Sequence, residues 1–144
     1  MKATIKHVDH LNMTVKSVDA TADWYGRVFG FKTVEGGVSR GRRWAIIRGG
    51  DAMLCIYEEP TFGNEDAYDR KVHGVSHFGL RITDRKAWEE TIKREGVKFT
   101  YPQTRYPHSD SWYVEDPSGY EIEVALWDND VIQFDGIKET VAAR

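Results

Sequence analysis

Apolar and polar residues alternate along the start of the chain, and this period of two predicts a β-strand over residues 4–16. The apolar face of this strand consists of Leu11, Met13 and Val15. The opposite face is polar and begins with His10. Because one apolar face is enough to pack a strand on a core, the polar face with its histidine is the one that needs a functional explanation.

The period then changes to that of a helix. Ser17 or Asp19 is suited to cap its start, and Gly30 is suited to end it. Between them, Trp24 and Val28 recur at helical spacing. Three further strands are predicted at about 31–38, 42–49 and 51–58. The first part of the chain is therefore predicted to be a βαβββ unit.

The same order of patterns starts again near residue 75. The segment VSHFGLRI matches VDHLNMTV position for position in polarity, and it places His77 on His10. Asp84 is expected to cap a second helix that ends at Gly96. Strands are predicted after it at about 97–101, 109–115 and 119–127. The chain is thus predicted to contain an internal duplication.

We predict one α+β domain over residues 1–144, because the chain is too short for two independent cores. Repeat one covers about 4–58, and repeat two covers about 73–127. The two βαβββ repeats are expected to form an eight-stranded curved mixed sheet, a cup with the helices on its convex face. The acidic connector at 59–72 either links the halves or acts as a lid. The tail at 128–144 is expected on the surface or against a partner.

The second repeat ends in a hairpin with an unusual polar face. Residues 112–124 read WYVEDPSGYEIEV, two alternating runs on either side of Asp-Pro-Ser-Gly. If residues 117–119 form the tip, Tyr113 lies opposite Glu123 on one face of the hairpin. If the helices pack on the apolar faces of the strands, His10 and His77 lie on the same opposite face as Tyr113 and Glu123.

Two histidines and one carboxylate on one concave face suit a divalent transition metal. His10, His77 and Glu123 come from three strands, a set that leaves coordination positions open for a substrate. Imidazole and carboxylate ligands suit Fe(II), Mn, Co, Ni or Zn. A single histidine on a strand is more often an ordinary core or surface residue. The equivalence of the two histidines under the repeat is what favours a metal.

Composition excludes several other classes of function. The net charge is −3, the pI is about 5.9, and the chain lacks a long basic run, so nucleic-acid binding and membrane-surface binding are not expected. No apolar run approaches the roughly 20 residues of a membrane span. Cys55 is the one cysteine, which fits a soluble cytoplasmic protein. The 5 Trp, 7 Tyr and 6 Phe residues suit a dense core or a pocket for a flat small molecule.

The motifs VDHLNMTV, VSHFGLRI and EDPSGYEIEV, in this order and within a duplicated βαβββ pattern, resemble the vicinal oxygen chelate superfamily. Its members include glyoxalases, extradiol dioxygenases, fosfomycin-modifying enzymes, epimerases and bleomycin-binding proteins. The resemblance implies that His10, His77 and Glu123 are the metal ligands. It also implies a homodimer, in which the aromatic residues Trp127 and Phe134 are candidate contacts. It does not define a reaction, because this fold hosts several.

Two positions bear on the reaction that the resemblance implies. Glyoxalase-like members carry a fourth ligand that doubles as a base, and Cys55 occupies that slot here, as a ligand or as packing. The pattern from Tyr113 to Glu123 resembles the extradiol dioxygenase signature, in which the tyrosine hydrogen-bonds the substrate. The acid–base histidine of that signature lies further upstream, and His108 is the candidate only if a bend after Pro107 corrects its parity.

We therefore expect a divalent-metal-dependent enzyme that acts on a small substrate with vicinal oxygens, leaning to a ring-cleaving extradiol-type dioxygenase. Tyr113 and His108 are the catalytic candidates. The alternatives are a glyoxalase-like lyase or isomerase and a non-catalytic resistance or ligand-binding protein. A fosfomycin-type reaction would need a cationic pocket, and Arg81 is more simply explained by a pair with Glu121 or another acid.

Overall fold

The computed structural model describes residues 3–61 and 75–136 of the chain. This part contains two α-helices, eight strands and one 3₁₀ turn. In chain order the elements are β1 (Leu11–Val15), α1 (Val18–Phe29), β2 (Lys32–Ser39), β3 (Arg42–Gly49), β4 (Ala52–Glu58), β5 (His77–Ile82), α2 (Arg85–Glu95), β6 (Phe99–Tyr106), β7 (Ser109–Glu115), β8 (Glu121–Trp127) and the 3₁₀ turn Asp128–Asp130.

The strands form two four-stranded sheets with the same internal order. Sheet A has the order β1-β4-β3-β2, and sheet B has the order β5-β8-β7-β6. In each sheet the first strand of the unit runs parallel to the last, and the other neighbours are antiparallel. The α+β class and the two βαβββ repeats are therefore confirmed. Within the described residues, the eight strands form two hydrogen-bonded sheets rather than one continuous ladder.

Both helices begin and end where the caps predict. Ser17, rather than Asp19, caps α1, and Asp84 caps α2; each side chain accepts a hydrogen bond from the backbone N–H three residues later. Asp19 instead forms a two-pronged ion pair with an arginine of β3. Gly30 and Gly96 follow the helices with φ of 73° and 59°, the left-handed conformation that glycine adopts without a steric penalty.

A single core joins the two repeats. The buried apolar side chains come from both sheets and both helices, and on the strands they follow the predicted apolar faces. The largest fully buried ones are Tyr25, Ile47, Ile56, Ile122, Val15, Val114 and Val124. Phe29 of α1 stacks on Trp88 of α2 with ring centroids 5.5 Å apart. Burial of each such side chain contributes roughly 1.5–3 kcal/mol to stability. The packing of the two repeats on each other therefore stabilises the whole fold.

The Asp-Pro-Ser-Gly turn between β7 and β8 fastens the second repeat to the first. Oδ1 of Asp116 accepts hydrogen bonds from the backbone N–H groups of Ser118 and Tyr120, and Oδ2 accepts one of 2.9 Å from the hydroxyl of Tyr25 on α1. The Tyr120 hydroxyl donates to the carbonyl of Thr14 at 2.9 Å. Burial raises the pKa of Asp116, and these hydrogen bonds oppose that rise. The turn is therefore fixed at the base of the hairpin that carries the candidate carboxylate.

Two strand boundaries differ from the prediction. β1 begins at Leu11 rather than near residue 4, because its ladder with β4 starts at the pair Leu11 and Leu54 and the described residues before it are exposed. β6 extends to Tyr106 rather than 101, because it pairs with β7 along most of its length. The predicted connector lies largely outside the described residues, so its two readings remain predictions.

Candidate metal and substrate site

The candidate residues of the second repeat lie on neighbouring strands of sheet B. His77 is the first residue of β5 and pairs in register with Glu121 at the start of β8. Two residues further along β8, Glu123 lies directly opposite Tyr113 of β7, as the hairpin pattern predicts. Because alternate residues of a strand share a face, Glu121 and Glu123 both lie on the side of sheet B away from the core.

His77 and Glu123 are in direct contact. The Nε2 atom of His77 lies 3.0 Å from Oε2 of Glu123. The other oxygen of Glu123 accepts a hydrogen bond of 2.7 Å from the hydroxyl of Ser111 on β7, which is almost fully buried. The His77 ring is 37% exposed and the Glu123 side chain is 26% exposed. Both can therefore be reached by a ligand while their orientation is fixed by the sheet.

The pair lies in a pocket of about 480 Å³ that is rich in aromatic rings. Its walls come from β5, the β6–β7 turn, β8 and the segment after the 3₁₀ turn. The lining residues are His77, Tyr106, Pro107, His108, Ser109, Tyr113, Glu123, Trp127, Gln133, Phe134, Asp135 and Gly136. A volume of this size holds a small organic molecule, and the rings favour a flat one.

Tyr113 presents its hydroxyl at this pocket. Its side chain is largely buried, and its ring meets the His77 ring edge to face, with centroids 6.0 Å apart. The hydroxyls of Tyr113 and Tyr106 share a hydrogen bond of 2.7 Å. The two tyrosine hydroxyls therefore place polar groups in the pocket wall beside the His77–Glu123 pair.

His108 lines the same pocket. It sits in the turn between β6 and β7, directly after Pro107, so the parity of a continuous strand does not apply to it. Its Nε2 atom lies within hydrogen-bond distance of the carboxylate of Asp135. A carboxylate on Nε2 keeps the proton of a neutral ring on that nitrogen and leaves Nδ1 as an acceptor, an arrangement suited to proton transfer.

His10 is not part of this cluster. Its ring is about half exposed, and its Nδ1 atom contacts the carboxylate of Asp9 at 2.8 Å. Across residues 3–61 and 75–136, no group of three or more His, Cys, Asp or Glu side chains is placed to hold a metal ion. His10 nevertheless directly precedes Leu11, and residues 11–13 share a small cavity of about 190 Å³ with His77. The start of β1 therefore lies beside the start of β5.

Two further candidates lie elsewhere. Cys55 is on β4 of sheet A, in register with Asn12, and is only partly buried. It does not line the pocket of His77. Arg81 of β5 does pair with an acid, as predicted, but the acid is Asp130 of the 3₁₀ turn rather than Glu121.

Sequence patterns missed three contributors to the site. Ser111 has the same parity as Tyr113, so the alternation of β7 could have placed it there, whereas two register shifts in β6 break the alternation before Tyr106. Asp135 could not have been found in this way, because it belongs to a polar tail without a period. The tail was expected to lie on the surface or against a partner; residues 131–136 are exposed, and residues 133–136 also form one wall of the pocket.

The donor set fits a divalent metal in part. An imidazole nitrogen and a carboxylate oxygen 3.0 Å apart are two of the three ligands of a two-histidine, one-carboxylate site. The Ser111 hydroxyl donates a hydrogen bond to the other oxygen of this carboxylate. Metal-binding carboxylates in proteins are commonly oriented by such hydrogen bonds. The third ligand would have to be brought to this pair.

The duplicated βαβββ architecture is that of the vicinal oxygen chelate proteins. The chain belongs to the Glyoxalase/Bleomycin resistance protein/Dioxygenase superfamily, whose family model matches residues 7–124. Comparison with curated proteins gave no significant match. Both helices of the described residues are too short and polar to cross a lipid bilayer.

Solved structures share the fold across nearly the whole chain. A glyoxylase/bleomycin resistance protein/dioxygenase domain from Frankia sp. EAN1pec is 20% identical, with a TM-score of 0.73 over 89% of this chain and 96% of that chain. A glyoxalase family protein from Enterococcus faecalis is 16% identical, with a TM-score of 0.71 over 83% and 97%. The fosfomycin resistance protein FosX from Listeria monocytogenes is 18% identical, with a TM-score of 0.68 over 86% and 93%. A variant of FosX was crystallised with Mn(II) and 1S,2S-dihydroxypropylphosphonic acid.

Proposed function

We propose that this protein is a divalent-metal-dependent enzyme that acts on a small substrate with two vicinal oxygens, and that its reaction is the ring-cleaving oxygenation of an aromatic diol. One observation carries the proposal. The His77–Glu123 pair opens into an aromatic pocket that Tyr113 and His108 also line. Two metal ligands, a phenol and a carboxylate-bound imidazole thus face one ligand-sized space.

His77 and Glu123 would hold the metal, with Fe(II) favoured and Mn, Zn, Ni or Co also compatible with the ligands. The bound ion would act as a Lewis acid and as a template for the two substrate oxygens. The other roles belong to the protein's own side chains. Tyr113 donates a hydrogen bond to a substrate oxygen, and His108, oriented by Asp135, accepts the proton of a substrate hydroxyl.

We assign the third ligand to His10. The ring would have to leave Asp9 and turn toward the pocket, and the start of β1 already lies beside His77. His10 of a second copy of the chain is the other source of the same ligand. Mixing His10→Ala chains with His77→Ala chains separates the two sources. Metal binding returns in the mixture if the ligands come from different chains, and it stays absent if they come from one chain.

A fosfomycin-type reaction is less consistent with the pocket. The residues that line it in the described part of the chain include neither lysine nor arginine, whereas a phosphonate dianion needs cationic partners. Arg81, the arginine on the concave face of β5, is paired with Asp130. The substrate that suits these walls is flat, uncharged or weakly acidic, and aromatic.

The reaction is tested with protein loaded anaerobically with Fe(II) and then given catechols of increasing size. We expect oxygen uptake equal to substrate consumed, since both atoms of dioxygen enter the ring-opened product. Tyr113→Phe should slow turnover more than Tyr106→Phe, because only the first is assigned to substrate. Oxygen-independent conversion of a methylglyoxal–thiol adduct would instead establish the glyoxalase-like alternative.

A non-catalytic ligand-binding protein is the second candidate, and the aromatic pocket favours it as much as it favours an enzyme. It predicts tight binding of an aromatic ligand whose affinity is the same with and without metal.

We further propose a cytoplasmic homodimer. Phe134, which is 77% exposed and packs edge-on against Trp127, is the candidate contact, and sedimentation of Phe134→Ser tests it.

A further inference from the structure

His77 lies between two carboxylates rather than one. Its Nε2 atom faces Glu123 at 3.0 Å, and its Nδ1 atom faces Oε1 of Glu121 at 3.6 Å. The second distance is that of an ion pair and is longer than a hydrogen bond. Both contacts follow from the parallel pairing of β5 with β8, which puts His77 in register with Glu121 and two residues from Glu123.

Glu121 is held in place from its far side. Its Oε2 atom accepts a hydrogen bond of 2.7 Å from the hydroxyl of Thr100 on β6, and its side chain is only 11% exposed. Glu115 of β7, which is in register with Glu121, has a different environment, because Lys98 pairs with it at 2.6 Å. Of these two neighbouring carboxylates, Glu121 is therefore the one aimed at the imidazole.

We propose that Glu121 is a positioning residue that stabilises the metal-binding Nδ1–H tautomer of His77, an inference that builds on the metal site of the proposed function. A neutral imidazole carries one N–H, and the nitrogen that keeps it cannot bind a metal. In the metal-free protein the 3.0 Å contact with Glu123 requires a proton on Nε2, whereas Glu121 favours the competing Nδ1–H tautomer, whose Nε2 lone pair is available to a metal. Histidine ligands of metals generally donate their other N–H to such a partner.

The test compares Glu121→Ala, Glu121→Gln and Thr100→Val with wild type, and Glu115→Gln is the matched control on the same face. Zinc affinity is measured by calorimetry. We expect Glu121→Ala to bind zinc about 10–100-fold more weakly. Glu121→Gln should lose less, because its amide oxygen still accepts the Nδ1 proton. Thr100→Val should also lose less, since it leaves the carboxylate in place, and Glu115→Gln should bind as wild type does.

The second readout is the ¹⁵N spectrum of the His77 ring in metal-free protein. Because Glu123 accepts from Nε2–H and Glu121 favours Nδ1–H, we expect both tautomers in wild type and Nε2–H alone in Glu121→Ala. An unchanged tautomer, or zinc affinity within twofold of wild type in that variant, would overturn the role of Glu121. Failure of the wild-type protein to bind zinc or iron would instead overturn the proposed metal site, and the tautomer would still report on Glu121. Circular dichroism confirms that each variant is folded.

Discussion

Replacing Tyr25 by Phe should destabilise the protein in a way that depends on pH. The substitution removes one hydroxyl, which donates to the buried carboxylate of Asp116 at 2.9 Å, and leaves the ring in the core. The two residues belong to different repeats, so the hydrogen bond joins α1 to the turn at the base of the β7–β8 hairpin. The loss should therefore loosen the part of the fold that positions Glu123.

The magnitude follows from the charge of the acceptor. A hydrogen bond to an ionised group contributes about 1.5–3 kcal/mol, and we expect Tyr25→Phe to cost this much near neutral pH. Tyr120→Phe is the matched control, because its hydroxyl also crosses between the repeats but donates to the neutral carbonyl of Thr14. For that variant we expect a cost of about 0.5–1.5 kcal/mol.

The pH dependence has a defined sign. Burial raises the pKa of Asp116, and the Tyr25 hydroxyl is among the groups that lower it, so the variant carries an even higher pKa at Asp116 than wild type. The difference in stability between wild type and variant is therefore complete at a pH above both folded-state pKa values. It shrinks as the pH falls through them, since the carboxyl becomes protonated in both proteins.

Urea denaturation at fixed protein concentration measures both effects, at about pH 7 and about pH 4. We expect the cost of Tyr25→Phe to exceed that of Tyr120→Phe at the higher pH and to approach it at the lower pH. Equal costs for the two variants at both values would refute the assignment of Asp116 as an ionised, buried acceptor.

Three further changes have expected outcomes. Gly49→Ala would place a Cβ 2.7 Å from the ring of Phe31 and should destabilise by about 1–3 kcal/mol in thermal unfolding, whereas Gly79→Ala, whose Cβ meets nothing closer than 3.6 Å, should be tolerated. Ser111→Ala removes the hydroxyl that donates to Glu123, the proposed carboxylate ligand, and should weaken zinc binding about tenfold by calorimetry; unchanged affinity would contradict a supporting role of Ser111. His108→Ala should abolish turnover without loss of metal, and coupled loss of both would show that this residue is a ligand.

Much of the fold could be predicted because its signals are local. The alternation of apolar residues located most of the strands. The capping residues Ser17 and Asp84 and the two capping glycines located the ends of the helices. The repeat then supplied the topology, since two segments with the same pattern build the same unit. The start of β1 was misplaced because alternation continues into residues that have no ladder partner in the described chain.

The site was predicted less completely. Parity and the hairpin register placed Tyr113 opposite Glu123 and both near His77, which the sheet confirms. Asp135 was missed because it reaches the pocket through a tail that has no period, and the side chain of His10 turns to Asp9 rather than to the pair. Contacts of this kind depend on how a segment folds back over a sheet. The local pattern of apolar and polar residues does not predict that path.

The metal content of the purified protein tests the account most directly. Wild type and His77→Ala are purified without added metal, reconstituted with Fe(II) or Zn(II), and analysed for bound ion. His7→Ala is the control, because His7 is exposed and bonds only its neighbour's carbonyl among the described contacts. We expect one ion per chain in wild type and in His7→Ala, and loss of that ion in His77→Ala. An equal metal content in all three proteins would contradict the site.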